Sequence, residues 1–274
     1  MSDNDFPSRD IDASRPSAAR MYHYYLSGQA LFDVDKVFGE RVFAAFPHID
    51  SWARHNREFL RRAVDFMAAG GIRQFLDIGA GLPAAGNTHD IARGRYPSAR
   101  VVYVDNNTEA VARTHELLRG TGVLDVTAVI DADLRCPDDI FDHSETRRLL
   151  DLDQPLGLLM VNVWPFVADS DRPYQLMAQL RDRLPRGSYV AMSHAGPDEA
   201  APEAAHGLAA AAELYKQTSD PVTLRRRDDF AAFYDGLELL DPGIVHAPEW
   251  RPASPVDIGD PARPCNFAAV GYKP

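Results

Sequence analysis

Residues 74–83 read QFLDIGAGLP, and this stretch decides the fold. Its first five residues form a short, mostly apolar run that ends at a glycine-rich turn, which is typical of a buried strand. Gly79 and Gly81 lack Cβ atoms where the backbone has to turn sharply and approach a ligand. We expect the next helix to begin at Pro83 or Ala84, because proline is favoured at a first helical position. The unpaired N–H groups of that helix would face whatever binds above the sheet.

A second apolar run, residues 101–104, is followed directly by Asp105. We expect a buried strand there with Asp105 at its carboxyl end, where a carboxylate can accept hydrogen bonds from both hydroxyls of a ribose. Asp105 follows Gly81 by 24 residues, which is near the roughly 20-residue spacing of nucleotide-binding folds. The two turns therefore predict a nucleoside cofactor.

Asp77 indicates which cofactor this is. Gly79, Gly81 and Ala84 fit the G-x-G-x-x-G/A frame of nicotinamide-binding folds only loosely, and Asp77 stands two residues before the first glycine. A carboxylate at that place repels a pyrophosphate but attracts an ammonium or a sulfonium group. S-adenosylmethionine carries both of those cations and no phosphate, so the pattern favours it over a dinucleotide. A plain strand–turn–helix without a ligand is the remaining interpretation.

The composition argues against several classes of partner. The chain has 274 residues and a net charge of −11, so it lacks the basic surface that nucleic acids and anionic membranes need. Cys136 and Cys265 share no motif and indicate free thiols in a reducing compartment. We find neither a signal region nor an apolar run of about 18 residues, and we expect a soluble cytoplasmic protein. The nine histidines are scattered without spaced carboxylate or cysteine partners, so no metal site is predicted.

The rest of the chain alternates strand and helix patterns. Further strand candidates are residues 126–130, 155–161, 188–193, 237–245 and 266–272. Helical patterns separate all but the last two, which indicates βαβ units and a parallel sheet. The last two lack an intervening helix, which indicates an antiparallel hairpin. We therefore predict an α/β fold of the Rossmann-like, class I methyltransferase type, with a mostly parallel seven-stranded sheet, an antiparallel terminal hairpin and an N-terminal helical cap.

The chain is expected to fall into three parts. Residues 1–16 form a polar tail, residues 17–70 a helical cap or lid, and residues 71–274 the methyltransferase domain. The cap begins with four aromatic residues around Gly28, whose faces and hydroxyls could contact a cationic ligand or simply pack on the core.

Polar residues after the predicted strands complete the candidate site. Asn87 and His89 fall in the first turns of the crossover helix, which we expect over residues 84–95, and His89 is as consistent with a structural role. Asp133 follows the third strand, where a carboxylate could accept from an adenine amino group or could merely cap a helix. We expect the neighbouring Leu134 to contact the same base.

The fourth and fifth strands end in further candidates. Asn162, Val163 and Trp164 lie at the carboxyl edge of the fourth strand, where α/β sheets place their ligands, although packing is the plainer role for the indole. His194 follows the fifth strand and is our candidate for a catalytic residue that touches the substrate. Its alternative role is to satisfy a backbone carbonyl.

Eight short stretches together resemble a bacterial family of S-adenosylmethionine-dependent methyltransferases of unknown substrate. They are ARMYHYYLSG (19–28), ARHNREFL (53–60), IRQFLDIGAGLP (72–83), GNTH (86–89), VVYVDN (101–106), ADLR (132–135), GLELLDPG (236–243) and WRP (250–252). The resemblance covers residues 16–272. The chain departs from the family pattern at His23, Ser27 and Pro165, so we assign no catalytic role to those positions.

The resemblance implies a class I fold, S-adenosylmethionine as the cofactor and a set of cofactor contacts. The implied contacts are Tyr22, Gly28, Asn56, Asp77, Gly79, Ala80, Gly81, Asp105, Asn106, Asp133 and the edge of the fourth strand. Among them, the segment from Tyr22 to Gly28 and Asn56 would close the pocket.

We therefore predict in-line methyl transfer from S-adenosylmethionine to a small-molecule acceptor. Such a reaction needs alignment of the reacting atoms more than acid–base chemistry, and His194 would serve only if the acceptor must lose a proton. Two alternatives stay open, namely a protein that binds the cofactor without transferring its methyl group and, with less support, a nicotinamide-dependent oxidoreductase.

Overall fold

A computed structural model describes residues 14–84 and 86–274 of the chain. In this part of the chain, eight strands form one sheet with the order β3-β2-β1-β4-β5-β8-β6, and β7 pairs with β8 beside β6. The strands are β1 (Gln74–Ile78), β2 (Arg100–Asp105), β3 (Thr127–Asp131), β4 (Gly157–Val161), β5 (Tyr189–Ala195), β6 (Glu238–Leu239), β7 (Val245–His246) and β8 (Asn266–Tyr272).

Strands β1 to β5 run parallel, and β8 runs antiparallel to β5, β6 and β7. The predicted class I architecture is therefore confirmed. The expected count of seven strands is wrong by one, because the predicted strand over residues 237–245 is divided into β6 and β7. Pro242 has no N–H to donate to a neighbouring strand. Around it the chain turns, and the N–H of Gly243 donates to the carbonyl of Leu240 at 2.7 Å.

The helices lie on both faces of the sheet and at its carboxyl edge. They are α1 (Ala18–Ser27), α2 (Asp33–Ala45), α3 (Ile49–Ala69), α4 (Thr88–Arg95), α5 (Thr108–Gly120), α6 (Pro137–Phe141), α7 (Ser144–Leu149), α8 (Pro173–Arg183), α9 (Pro202–Tyr215) and α10 (Arg227–Ala231). No helix in the described part of the chain is both long enough and apolar enough to cross a bilayer.

Helix α4 begins at Thr88 and not at Pro83 or Ala84. Asn87 is the N-cap residue, and its backbone N–H donates to the carboxylate of Asp90 in the first turn at 3.1 Å. Its side-chain oxygen accepts the N–H of Ala84, which precedes the helix, at 3.2 Å. The described residues between the glycine turn and Asn87, 82–84 and 86, form neither helix nor strand. Ala85 lies outside the described residues.

The buried side chains form three hydrophobic clusters. Two of them cover the two faces of the sheet, and the third lies among α1, α2, α3 and α9. We call the third the cap cluster; its largest members include Phe38, Phe46 and Trp52. Helix α3 contributes to two clusters, since Trp52 belongs to the cap cluster whereas Phe59 belongs to a sheet face. The domain division at residue 70 stays a prediction, and the predicted tail lies mostly outside the described residues.

Candidate functional site

A cavity of about 660 Å³ opens at the carboxyl ends of β1 to β4, and α1, α3 and α9 also line it. Parallel strands of an open α/β sheet bring their ligand-binding loops to this edge. Twelve of the sixteen predicted cofactor contacts line the cavity. They are Tyr22, Asn56, Asp77, Gly79, Ala80, Gly81, Asp105, Asn106, Asp133, Leu134, Asn162 and Val163.

Asp77 is buried at the end of β1, on the floor of the cavity. The hydroxyl of Thr88, at the start of α4, donates to its carboxylate at 2.6 Å. Burial raises the pKa of Asp77 to about 6, although the Thr88 hydroxyl and the charge of Arg57 act in the opposite direction. A buried carboxylate that lacks a paired cation stabilises a cationic ligand beside it.

The pKa of Asp77 has a consequence for stability. Because folding raises this pKa from 3.8 to about 6, the ionised carboxylate lowers the free energy of unfolding above pH 6, and this penalty disappears as the pH falls toward 4. We expect Asp77→Asn to raise the free energy of unfolding at neutral pH by about 1–3 kcal/mol and to weaken cofactor binding. Urea titrations of both proteins should converge near pH 4. A constant difference at every pH would contradict this prediction.

Asp105 ends β2 with both carboxylate oxygens oriented by backbone donors. The N–H of Gly81 donates to one oxygen at 2.7 Å, and the N–H of Asn107 donates to the other at 2.8 Å. Burial raises the pKa of Asp105 to about 6 in spite of these two hydrogen bonds. Each carboxylate oxygen retains a further lone pair, so the group can still accept from two neighbouring hydroxyls.

The two glycines in the turn that follows β1 are needed for different reasons. Gly79 and Gly81 have φ angles of +72° and +66°, a region that favours glycine. A Cβ at Gly79 would lie 2.5 Å from a methyl group of Val163, whereas a Cβ at Gly81 would meet no atom within 4 Å. Gly79 therefore permits the β1 turn to pack against the loop after β4, and Gly81 borders open space.

Asn162 follows β4 with a φ of +59°, which is unusual for a residue other than glycine. Its side-chain oxygen is buried and has no hydrogen-bond partner among the described residues. Buried polar atoms normally have partners, and unpaired ones are costly. This oxygen thus fits a ligand that brings its own donor, such as an ammonium group.

Arg57 of α3 supplies a positive charge that our reading of the sequence missed. It lines the cavity, and its guanidinium donates to the carbonyl of Gly86 at 3.1 Å while its Nε has no partner among the described residues. The residue stands within the ARHNREFL stretch that resembles the family, where only Asn56 was assigned a role. An anionic group of a ligand would be stabilised here.

Asn56 connects the cap to the sheet. Its amide donates to the hydroxyl of Tyr22 at 3.0 Å, and its oxygen accepts from Ser193 at 2.5 Å and from Asn266 at 3.1 Å. The Tyr22 hydroxyl in turn donates to the carbonyl of Ala53 at 3.1 Å. Asn56 therefore orients Tyr22 as well as lining the cavity itself.

Asp133 lines the cavity with its acceptor positions already occupied. Arg135 donates to it from its backbone N–H and from its guanidinium, and the Asn106 amide donates at 3.0 Å. Burial acts to raise the pKa of Asp133, but the hydrogen bonds from Arg135 outweigh it and lower the pKa to about 2. A carboxylate has about four acceptor positions, so contact with an adenine amino group requires one of these bonds to be exchanged.

His194 is not placed where it could touch a substrate, and the catalytic role predicted for it is corrected here. It lies within β5, is fully buried and does not line the cavity. Its Nδ1 donates to the carbonyl of Ala195 at 2.8 Å, and its Nε2 accepts from Arg225 at 3.0 Å. Burial lowers the pKa of His194 to about 3, so the ring stays neutral and has no free nitrogen for a proton.

Four other predicted contacts also lie away from the cavity. Gly28 ends α1 as its C-cap, and Asn87 caps α4. His89 is buried, with its Nδ1 2.7 Å from the hydroxyl of Tyr103. Trp164 is fully buried and packs on Phe233 with ring centroids 4.7 Å apart. These residues shape the fold around the site but do not line it.

Helix α1 is held over the cavity by two sets of contacts. The N–H of Ala18 donates at 2.9 Å to Asp220, which also lines the cavity. The buried guanidinium of Arg20 lies 2.8 Å from Asp35 of α2 and 3.0 Å from Glu109 of α5. Breaking a buried pair of this kind strongly destabilises a structure, so α1 forms a firmly anchored roof.

The sequence and the fold are similar to those of known proteins. Among curated proteins, no sequence matches the chain. A solved structure of a DUF574 family protein from Streptomyces avermitilis is 35% identical, with a TM-score of 0.89 over 96% of this chain and 100% of that one. A proposed methyltransferase from Thermobifida fusca is 31% identical, with a TM-score of 0.88 over 98% of each chain. The model of a family described as S-adenosyl methyltransferase matches residues 4–274, and the chain belongs to that family.

Proposed function

We propose that this S-adenosylmethionine-dependent methyltransferase acts on a small molecule that binds in the cavity beside the cofactor. The observation that supports this proposal most is that two helices, α1 and α9, line the same cavity as the strand ends. A cavity of about 660 Å³ is within the usual range for small-ligand pockets. The net charge of −11 also disfavours nucleic acid as the acceptor.

The lining residues suit the chemical groups of the cofactor. The carboxylate of Asp105 would hold the two ribose hydroxyls, and Asp77 with the unpaired oxygen of Asn162 would hold the ammonium group. Arg57 would bind the carboxylate of the methionine portion. When bound, S-adenosylmethionine supplies an electrophilic methyl group on a positively charged sulfur.

The chain's own contribution is alignment and exclusion of water. Among the described residues that line the cavity there is no histidine and no lysine, and no group of histidine, cysteine and carboxylate side chains that could hold a metal occurs in the described ranges. Four of the lining carboxylates, Asp77, Asp105, Asp133 and Asp220, accept hydrogen bonds from donors of the protein. The lining thus supports methyl transfer by positioning the acceptor rather than by a dedicated base.

An extract experiment tests the proposal. We expect the purified chain, incubated with tritiated S-adenosylmethionine and a cell extract, to transfer label to molecules that pass an ultrafiltration membrane retaining proteins and nucleic acids. Asp77→Ala should abolish this transfer, because it removes the charge that attracts the cofactor. Label that appears only in the retained fraction would contradict a small-molecule acceptor. Cofactor binding without any transfer would favour the alternative of a binding protein that is not an active enzyme.

A further inference from the structure

Part of the cavity wall is apolar and comes from the cap cluster. Tyr25 of α1, Trp52 of α3, and Leu208 and Tyr215 of α9 all line the cavity and are at most 8% exposed. They belong to the cap cluster and not to the two clusters that cover the sheet. We call this the cap wall, and the wall made by the strand ends the sheet wall. The polar residues assigned above to the cofactor belong to the sheet wall and to α3.

Small side chains lie beside the aromatic ones at the cap wall. Ala211 and Ala212 of α9 line the cavity next to Tyr215, and the Tyr215 ring lies 6.4 Å from that of Phe166. The indole N–H of Trp52 already donates to the carbonyl of Cys265 at 3.1 Å, so this side chain offers the cavity only apolar ring atoms. Rings that face small residues leave a space suited to a flat apolar ligand.

The cap wall carries one polar feature, a pair of hydroxyl groups. The hydroxyls of Tyr25 and Tyr215 are 2.8 Å apart and hydrogen-bonded to each other. The two hydroxyls carry one proton each, and the hydrogen bond between them uses one of these protons. The second proton has no acceptor among the described residues. Burial raises the pKa of both tyrosines, so both protons are retained at neutral pH. The pair therefore offers one hydrogen-bond donor to a ligand.

The charges around the cap wall disfavour an anionic ligand. The two arginines that line the cavity are Arg57 of α3 and Arg135, which follows β3. Asp220 also lines the cavity, and its negative charge acts on Tyr215. A carboxylate or phosphate placed at the cap wall would meet the like charge of Asp220, whereas neither of the described lining arginines belongs to the cap wall.

We propose that the cap wall binds an uncharged, flat aromatic acceptor whose oxygen atom accepts the free proton of the Tyr25–Tyr215 hydroxyl pair. The inference rests on the proposed function, because it names the class of molecule that shares the cavity with the cofactor. In this proposal the two tyrosines recognise the oxygen atom of the acceptor.

Binding of matched probes tests this inference. The chain is loaded with the demethylated cofactor, S-adenosylhomocysteine, and titrated calorimetrically with 2-acetylnaphthalene and with 2-isopropenylnaphthalene, whose substituent carbon is also planar but which carries no oxygen. We expect the ketone to bind about fivefold more tightly, the value of one neutral hydrogen bond. The anionic probe 2-naphthoate should bind more weakly than the ketone.

Two variants separate recognition from folding. Tyr25→Phe/Tyr215→Phe removes both hydroxyls together, so no unpaired group is left behind, and the two neutral probes should then bind equally. Ala212→Phe fills the space beside the pair and should abolish binding of both probes, with cofactor loading measured in the same samples. Equal binding of ketone and hydrocarbon to the unaltered chain would overturn the inference, as would tighter binding of 2-naphthoate. Failure of the unaltered chain to load S-adenosylhomocysteine would instead overturn the proposed function.

Discussion

Asp105→Ala is expected to weaken the binding of S-adenosylmethionine by more than tenfold, which corresponds to about 1.4 kcal/mol. The reason is that its carboxylate is held by the N–H groups of Gly81 and Asn107 with lone pairs left for two hydroxyls of the ribose. Hydrogen bonds to a charged group contribute about 1.5–3 kcal/mol each. Isothermal titration calorimetry with the cofactor measures the effect directly.

Asp131→Ala is the matched control. Asp131 ends β3 as the direct register partner of Asp105, but it is exposed and does not line the cavity. Its removal should leave cofactor affinity unchanged. Equal affinity of the Asp105→Ala variant and the unaltered chain would show that Asp105 does not hold the ribose.

Gly79→Ala is expected to lower the free energy of unfolding by about 2–4 kcal/mol, and Gly81→Ala by only about 1–2 kcal/mol. Both substitutions place a Cβ on a backbone with positive φ, so both carry the same conformational cost. Only the Cβ at position 79 also collides with the side chain of Val163. Urea denaturation of the two variants measures the difference.

A double variant tests whether contact with Val163 causes the larger loss of stability at position 79. Val163→Ala in the Gly79→Ala background should recover the part of the loss that comes from the Val163 methyl group at 2.5 Å, but not the part from the Val163 Cβ at 2.8 Å, which alanine keeps. The same change in the Gly81→Ala background should recover nothing. Equal losses for the two single variants would mean that contact with the β4 loop does not explain why glycine stands at position 79.

The sheet and the sheet wall could be predicted because their signals are local in the sequence. A short apolar run, a glycine turn and a carboxylate at a strand end are each visible within about ten residues, and parallel pairing brings such ends together. Asp77, Asp105 and Asn162 reach the cavity for this reason. Their contacts with the cofactor stay predictions.

The pairing that forms the cap wall could not be predicted, because it depends on long-range packing. Tyr25 lies in the segment from Tyr22 to Gly28 that was expected to close the pocket, but Tyr215 is 190 residues away and no spacing predicts the hydrogen bond between their hydroxyls. His194 failed as a candidate because β5 continues to Ala195, two residues beyond the predicted end, which places the imidazole inside the sheet opposite Phe267. Strand ends are uncertain by a few residues from sequence alone, and here that uncertainty separates a loop residue from a core residue.

The bond between Ala18 and Asp220 joins positions 202 residues apart, and it places α1 over a chamber whose other walls come from the middle and the second half of the chain. A growing chain on the ribosome can build the first parallel strands early, but the chamber is complete only after α9 and the segment beyond it have emerged. Contacts of such long sequence separation form late and slowly. Ligand-binding capacity should therefore arrive at the end of folding, and a chain that lacks α1 would leave the chamber open to water.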